Sequence, residues 1–130
     1  MSGPDQTTTI RRLGPGDEQV IRVLADDEPQ TALLDDERTT FVAAFDGETP
    51  IGFAYGYILP RRHGRPTMFF VYEVDVDERY RRRGIGRRLM EELLAGHDEA
   101  SVLTDADNGP AMALYASLGG TRVDSVMWDF

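Results

Sequence analysis

The sequence predicts an α/β fold, a mixed and mostly antiparallel sheet of six to seven strands flanked by about four helices. Three observations lead there. Stretches rich in Val, Ile, Thr and aromatic residues alternate with amphipathic helical stretches along the chain. Gly, Pro and Asp pairs punctuate them, and the strongest strand leads into a glycine-softened helix start. The 130 residues suffice for a single domain with one core and are too few for two ordinary ones.

Taken in order, residues 1–6 read as frayed and Thr7–Leu13 alternates as a first strand, ended by Gly14-Pro15-Gly16. Asp17 is placed to cap a helix that turns Val20, Ile21, Val23 and Leu24 inward. Pro29 opens a second short helical stretch with Leu33 and Leu34, ending near Glu37. Thr39–Phe45 reads as a strand, Asp46-Gly47-Glu48-Thr49 as a hairpin turn and Pro50–Leu59 as its partner. An arginine-rich loop, residues 60–66, leads to Met68–Val76, the strongest strand. There Val74 and Val76 point to one side, Glu73 and Asp75 to the other. A helix from about Gly84 to Gly96 carries Ile85, Leu89, Met90, Leu93 and Leu94 on one face. Ala100–Thr104 is a short strand. Asn108 caps a helix from Pro110 to Leu118, Gly119-Gly120 stops it, and Thr121–Phe130 has room for two final strands.

Composition narrows the function. The net charge of −9 argues against a nucleic-acid partner, which requires a basic face. Without cysteine there is neither a disulfide nor a thiolate nucleophile, and two lone histidines make no metal site. All 14 bases are arginine, so lysine Schiff-base chemistry is excluded too. Apolar runs are far shorter than the roughly 20 residues that span a bilayer, and the polar N-terminus lacks a basic signal region. No membrane partner and a cytoplasmic location are expected. The charges are segregated: residues 13–50 hold ten acids against two arginines, whereas residues 79–88 hold six arginines and no acid. That division suggests two ligands of opposite sign.

The sharpest local feature is Arg81-Arg82-Arg83-Gly84-Ile85-Gly86-Arg87-Arg88, directly after the strongest strand. Gly84 and Gly86 let the backbone turn with its N–H groups exposed. The helix start adds unpaired donors and a partial positive charge, so a pyrophosphate fits there. It is neither a dinucleotide fingerprint, since Leu89 stands where a third glycine belongs, nor a P-loop, which ends in Gly-Lys-Ser/Thr.

Arg81-x-x-Gly84-x-Gly86 resembles the Q/R-x-x-G-x-G/A signature of the GCN5-related N-acetyltransferases (GNAT). Asn108-x-x-Ala111-x-x-Leu114-Tyr115-x-x-Leu118-Gly119 is similar to a second element of that family. The resemblance is narrower at Phe41–Phe45, Tyr57–Pro60, Tyr72-Glu73-Val74, Pro110–Tyr115 and Val126–Phe130, which look like the gentamicin-type aminoglycoside 3-N-acetyltransferases. Two departures stand out: Asn108-Gly109 where acidic residues are expected, and Asp75 where that group has a small residue.

The resemblance implies acetyl-CoA as co-substrate and direct attack of a primary amine on its thioester. Backbone groups near Val74 and Val76 would hold the acetyl carbonyl and pantetheine arm. Arg81, Arg82, Arg83, Gly84, Ile85, Gly86 and Arg87 would receive the pyrophosphate, with Asn108, Ala111 and Tyr115 completing the cofactor site. Tyr115 is the candidate general acid, because a phenol of pKa about 10 keeps its proton at neutral pH. Glu73 is the first candidate for general base and Asp75 the second. The acidic segment 13–50 suits a cationic amine, an aminoglycoside first, with a polyamine, amino acid or peptide N-terminus as alternative acceptor. A non-catalytic coenzyme A-binding module is the alternative from another class. A homodimer through the apolar end of the chain is expected by analogy.

Overall fold

The computed structural model describes residues 7–130, so the fraying expected of residues 1–6 lies outside the described residues. The elements are β1 (Thr8–Arg12), α1 (Glu18–Leu24), β2 (Thr39–Asp46), β3 (Thr49–Pro60), β4 (Thr67–Val76), α2 (Ile85–Leu94), β5 (Ala100–Val102) and α3 (Gly109–Ser117). Short 3-10 turns at Ala32–Asp35 and Glu78–Tyr80 complete the list. The sheet runs β1-β2-β3-β4-β5, antiparallel except for the parallel pair β4–β5. The α/β class therefore holds, with five strands and three α-helices among the described residues in place of six to seven and four.

β2 is buried along nearly its whole length because both of its faces are covered. Val42 and Ala44 point to one side, where Ile51, Ala54, Phe69 and Val71 meet Ile85, Leu89, Met90 and Leu93 of α2. Phe41, Ala43 and Phe45 point to the other, where Leu13, Ile21 of α1 and Leu34 close over them. Each large side chain so buried contributes about 1.5–3 kcal/mol of transfer free energy. The period-2 alternation of one strand thus supplies two cores.

Three local expectations are corrected. The stretch from Pro29 to Glu37 narrows to the single turn Ala32–Asp35. Asp35, Asp36 and Glu37 would have stood at a helix C-terminus, where negative charge opposes the dipole. Asp17 makes no cap bond into α1; its carboxylate turns back to accept from the Gly14 N–H at 2.9 Å and Arg11 Nη1 at 3.0 Å. Val23 on α1 is exposed, leaving Ile21 as the buried anchor.

The final strands are the largest departure. Residues 121–130 carry no strand, and Val123, Val126, Met127, Trp128 and Phe130 are all exposed. β-propensity makes a strand only against an edge that accepts its hydrogen bonds, and β5 offers three residues.

β3 and β4 shift register between Tyr55 and Gly56: Tyr55 faces Glu73, Gly56 faces Val71, and Tyr72 is the extra residue of a β-bulge. Gly56 is obligatory there. A Cβ would overlap the Phe70 carbonyl oxygen and stand 2.8 Å from Phe69 Cζ.

Candidate active site

β5 pairs with β4 only at Phe69–Val71, so the outer edge of Tyr72–Val76 is open. The Asp77 N–H bonds to Ile51 O of β3 at 2.7 Å. By strand alternation the N–H groups of Val76 and Val74 point the other way, toward the open edge. They are not equivalent. Asp75 Oδ1 accepts from the Val76 N–H at 2.9 Å, which occupies it within the protein. Of the two valines expected to hold the thioester, Val74 is the one whose outward N–H no side chain covers.

Beyond the strand, the chain bends into α2 through two residues with left-handed backbone, Arg82 at φ +64° and Gly84 at φ +77°. Gly84 caps α2 and supplies no side chain to its first turn. The N–H groups of Ile85, Gly86 and Arg87 therefore lack helical acceptors. A Cβ at Gly86 would lie 3.6 Å from Leu114 Cδ2 and 4.0 Å from Val76 Cγ2, ordinary contact distances. Packing does not demand glycine at 86; its bareness leaves the row of N–H groups uncovered. This is a cradle that suits a pyrophosphate.

The arginine knot is less free than its composition implies. Arg81 is tied to Val76 O at 2.9 Å and Asp75 Oδ1 at 3.3 Å. Arg87 donates to Ser117 Oγ at 2.8 Å, and Arg88 to Thr8 O at 3.1 Å, so both fasten α2 to neighbouring elements. Arg83 lies 5.1 Å over the Tyr80 ring. Arg82 and Arg83 make no ion pair or hydrogen bond among the described residues, although Arg83 also acts on the Asp46 carboxylate. Ile85 sits in the core at 1% exposure, so only its main chain can serve the cradle.

On α3, Asn108 Oδ1 accepts from the Ala111 N–H at 3.2 Å, the capping bond that the Asn-x-x-Ala spacing implies. Leu114, Tyr115 and Leu118 pack on the α2 side of the sheet. Burial raises the pKa of the half-buried Tyr115, so the phenol holds its proton at neutral pH. Tyr115 shares a pocket with Val71 of β4 and Val102 of β5, and a protonated phenol is chemically able to donate to a leaving thiolate.

The two candidate bases occupy the opposite face and differ. Asp75 is bound by Arg81 and the Val76 N–H. Glu73 is exposed and accepts one hydrogen bond, from the Tyr55 hydroxyl at 3.1 Å. Glu73 is the freer acceptor of a substrate proton. Tyr55, Tyr57 and Tyr72 gather around it; Tyr57 and Tyr72 stand in stretches that carry the family resemblance, but the sequence names none of the three as a site residue. The alternation Phe53-x-Tyr55-x-Tyr57 on β3 was the available signal. His97 stacks on Phe69 at 3.9 Å, and burial lowers its pKa, so it is a packing residue.

Residues 10–119 match the acetyltransferase (GNAT) family. The chain belongs to that family. This GNAT enzyme is 40% identical over 85 residues to the N-alpha-acetyltransferase RimI of Mycobacterium tuberculosis, covering 64% of the chain and 52% of that protein. It is 35% identical over 89 residues to an L-2,4-diaminobutyric acid acetyltransferase of Nocardia farcinica, covering 65% and 44%. The chain thus spans about half the length, or less, of such curated relatives. Among solved structures, an aminoglycoside acetyltransferase from an uncultured soil metagenomic sample superposes with a TM-score of 0.80 at 22% identity, covering 98% and 97% of the two chains. The aminoglycoside acetyltransferase AAC(6')-Iy, in complex with a bisubstrate analogue, superposes with a TM-score of 0.76 at 18% identity, covering 95% and 97%. The fold and the family stand. These relatives and neighbours do not single out a 3-N-specific aminoglycoside group. No helix among the described residues is long and apolar enough to cross a membrane.

Proposed function

We propose that this GNAT enzyme acetylates a primary amine of a polycationic small molecule, with an aminoglycoside, at its 3-N amine, as the first acceptor. Acetyl-CoA supplies the activated acetyl thioester. Val74 offers an outward N–H to the acetyl carbonyl, and an N–H so aimed commonly supplies about 3 kcal/mol to a developing oxyanion. Gly84, Ile85 and Gly86 receive the pyrophosphate on their main chain, with Arg82 and Arg83 alongside. Glu73 takes the proton of the ammonium, directly or through water, and Tyr115 protonates the departing thiolate. Asp75 serves to position Arg81 instead.

One observation carries the reading: the exposed carboxylate of Glu73, held by the Tyr55 hydroxyl beside the open edge of β4. A free carboxylate there suits an ammonium. A second reading, acetylation of an amino acid or a peptide N-terminus, is favoured by the 35–40% identity to the diaminobutyric acid and RimI enzymes.

Thiol release from acetyl-CoA, followed across gentamicin, spermidine, 2,4-diaminobutyrate and an alanine-terminated peptide, distinguishes the two. Turnover of gentamicin, with the acetyl group located on the 3-N amine by NMR, supports the first. Turnover confined to the amino acid or the peptide replaces it by the second.

A further inference from the structure

The β-bulge at Tyr72 has a chemical consequence. In regular strand, Tyr72 and Glu73 would face opposite sides of the sheet. With Tyr72 as the extra residue, both reach the same side chains of β3. The Tyr72 ring lies 5.7 Å from that of Tyr55 and 5.9 Å from that of Tyr57, while Glu73 accepts from the Tyr55 hydroxyl. Tyr55 and Tyr57 stand edge to face at 6.0 Å. Behind them Phe41 and Phe53 extend the stack into the core, with Phe41 5.0 Å from Tyr55. The ladder is anchored at its inner end and open at its outer one, where Tyr72 is 64% exposed.

Among the described residues, the charge beside the trio that no ion pair offsets is the Glu73 carboxylate. Asp36 and Glu73 both act on Tyr57, and Glu73 on Tyr55. The nearby Arg38 is held by both carboxylate oxygens of Asp36, at 3.1 and 2.9 Å. Among the described residues, arginine–ring contacts occur at Phe45 and Tyr80, away from this trio. Aromatic faces next to a carboxylate attract ammonium groups, and rings also stack on C–H-rich faces. A substrate carboxylate would meet the Glu73 carboxylate, with the Arg38 guanidinium already engaged by Asp36.

Resting on the acetyltransferase reading of the adjacent site, we propose that Tyr55, Tyr57 and Tyr72 form with Glu73 the acceptor-recognition surface. It reads an amine beside a C–H-rich ring or chain and rejects one that carries a neighbouring carboxylate. Tyr72 is its specificity residue. Tyr55 is a positioning residue that orients Glu73.

The test compares 1,3-diaminopropane with 2,4-diaminobutyrate, which differ by one carboxylate, and adds gentamicin as a ring-bearing acceptor. For the wild-type enzyme kcat/KM should favour 1,3-diaminopropane by about ten-fold or more, the size of one like-charge contact between Glu73 and the substrate carboxylate. Tyr72→Leu should raise the acceptor KM by roughly ten-fold with kcat and calorimetric acetyl-CoA affinity unchanged, and Tyr72→Phe should restore that KM. Tyr55→Phe should lower kcat with the ring surface retained. Preference for 2,4-diaminobutyrate overturns the proposal while leaving the acetyltransferase reading intact, as does an acceptor KM unmoved in Tyr72→Leu. Failure of the wild-type protein to bind acetyl-CoA overturns both.

Discussion

Tyr115 and Tyr55 are both phenols whose pKa lies above the ordinary value, with burial the leading cause in each. Their uses differ. In the proposed reaction the proton retained by Tyr115 goes to the leaving thiolate, so Tyr115→Phe should cut kcat by about 10²-fold while acetyl-CoA affinity changes little. Calorimetry alongside steady-state rates checks this, and equal loss of both would assign the ring to packing. For Tyr55 the Glu73 charge and hydrogen bond add to burial. The folded protein then holds this proton to a higher pH than the unfolded chain. The associated stability is fully present below about pH 10 and is lost as pH rises above it. Tyr55→Phe should therefore flatten the fall of Tm above pH 10, relative to wild type. An unchanged alkaline slope would show that Tyr55 contributes nothing to it.

At the scale of elements, two glycines separate packing from binding. Gly56 sits where β3 and β4 change register, and a Cβ meets backbone and a ring. Gly56→Ala should cost about 1–3 kcal/mol of stability, read as a lowered urea midpoint. Gly86 faces contacts of 3.6 Å and longer. Gly86→Ala should keep the wild-type midpoint, since alanine favours helix, yet weaken acetyl-CoA binding several-fold on calorimetry. The elements themselves were largely legible. The apolar spacing of Ile85, Leu89, Met90 and Leu93 gives α2, and Asn108 with Pro110 gives the start of α3. Where the structure differs, hydrogen-bond partners decided: a missing edge in one case, competing local donors in the other. Thr121–Phe130 has strand composition and no long edge to join. Asp17 found Arg11 and the Gly14 N–H instead of its own helix.

At the scale of the whole molecule, the proposed reaction requires a net charge of −9 to coexist with an anionic co-substrate. The structure resolves this by neutralising locally. Asp77 is paired with Arg79 and Asp75 with Arg81, while among the described residues Arg82 makes no ion pair and Arg83 lies over the Tyr80 ring. Acids outside these ion pairs keep a negative field, which suits the cationic acceptor we propose. Raising ionic strength from 0.15 M to 1 M shortens the screening length from about 8 Å to about 3 Å. We expect kcat/KM for a polycationic acceptor to fall several-fold over that range, more steeply than for a monoamine. Equal slopes for the two would remove the field from recognition.

Sequence alone determined the motifs that local chemistry encodes: the left-handed bend at Gly84, the cap at Asn108, the alternation that sends Val74 and Glu73 to opposite faces. Each depends on residues within a few positions of one another. Tertiary structure decided which of these groups are free to act. Pairing with β3 placed the bulge at Tyr72 and brought Tyr72 and Glu73 to one aromatic ladder, and the turn after β4 spent Asp75 on Arg81 and Val76. Register and side-chain partners arise between segments far apart in the chain, where periodicity carries no information.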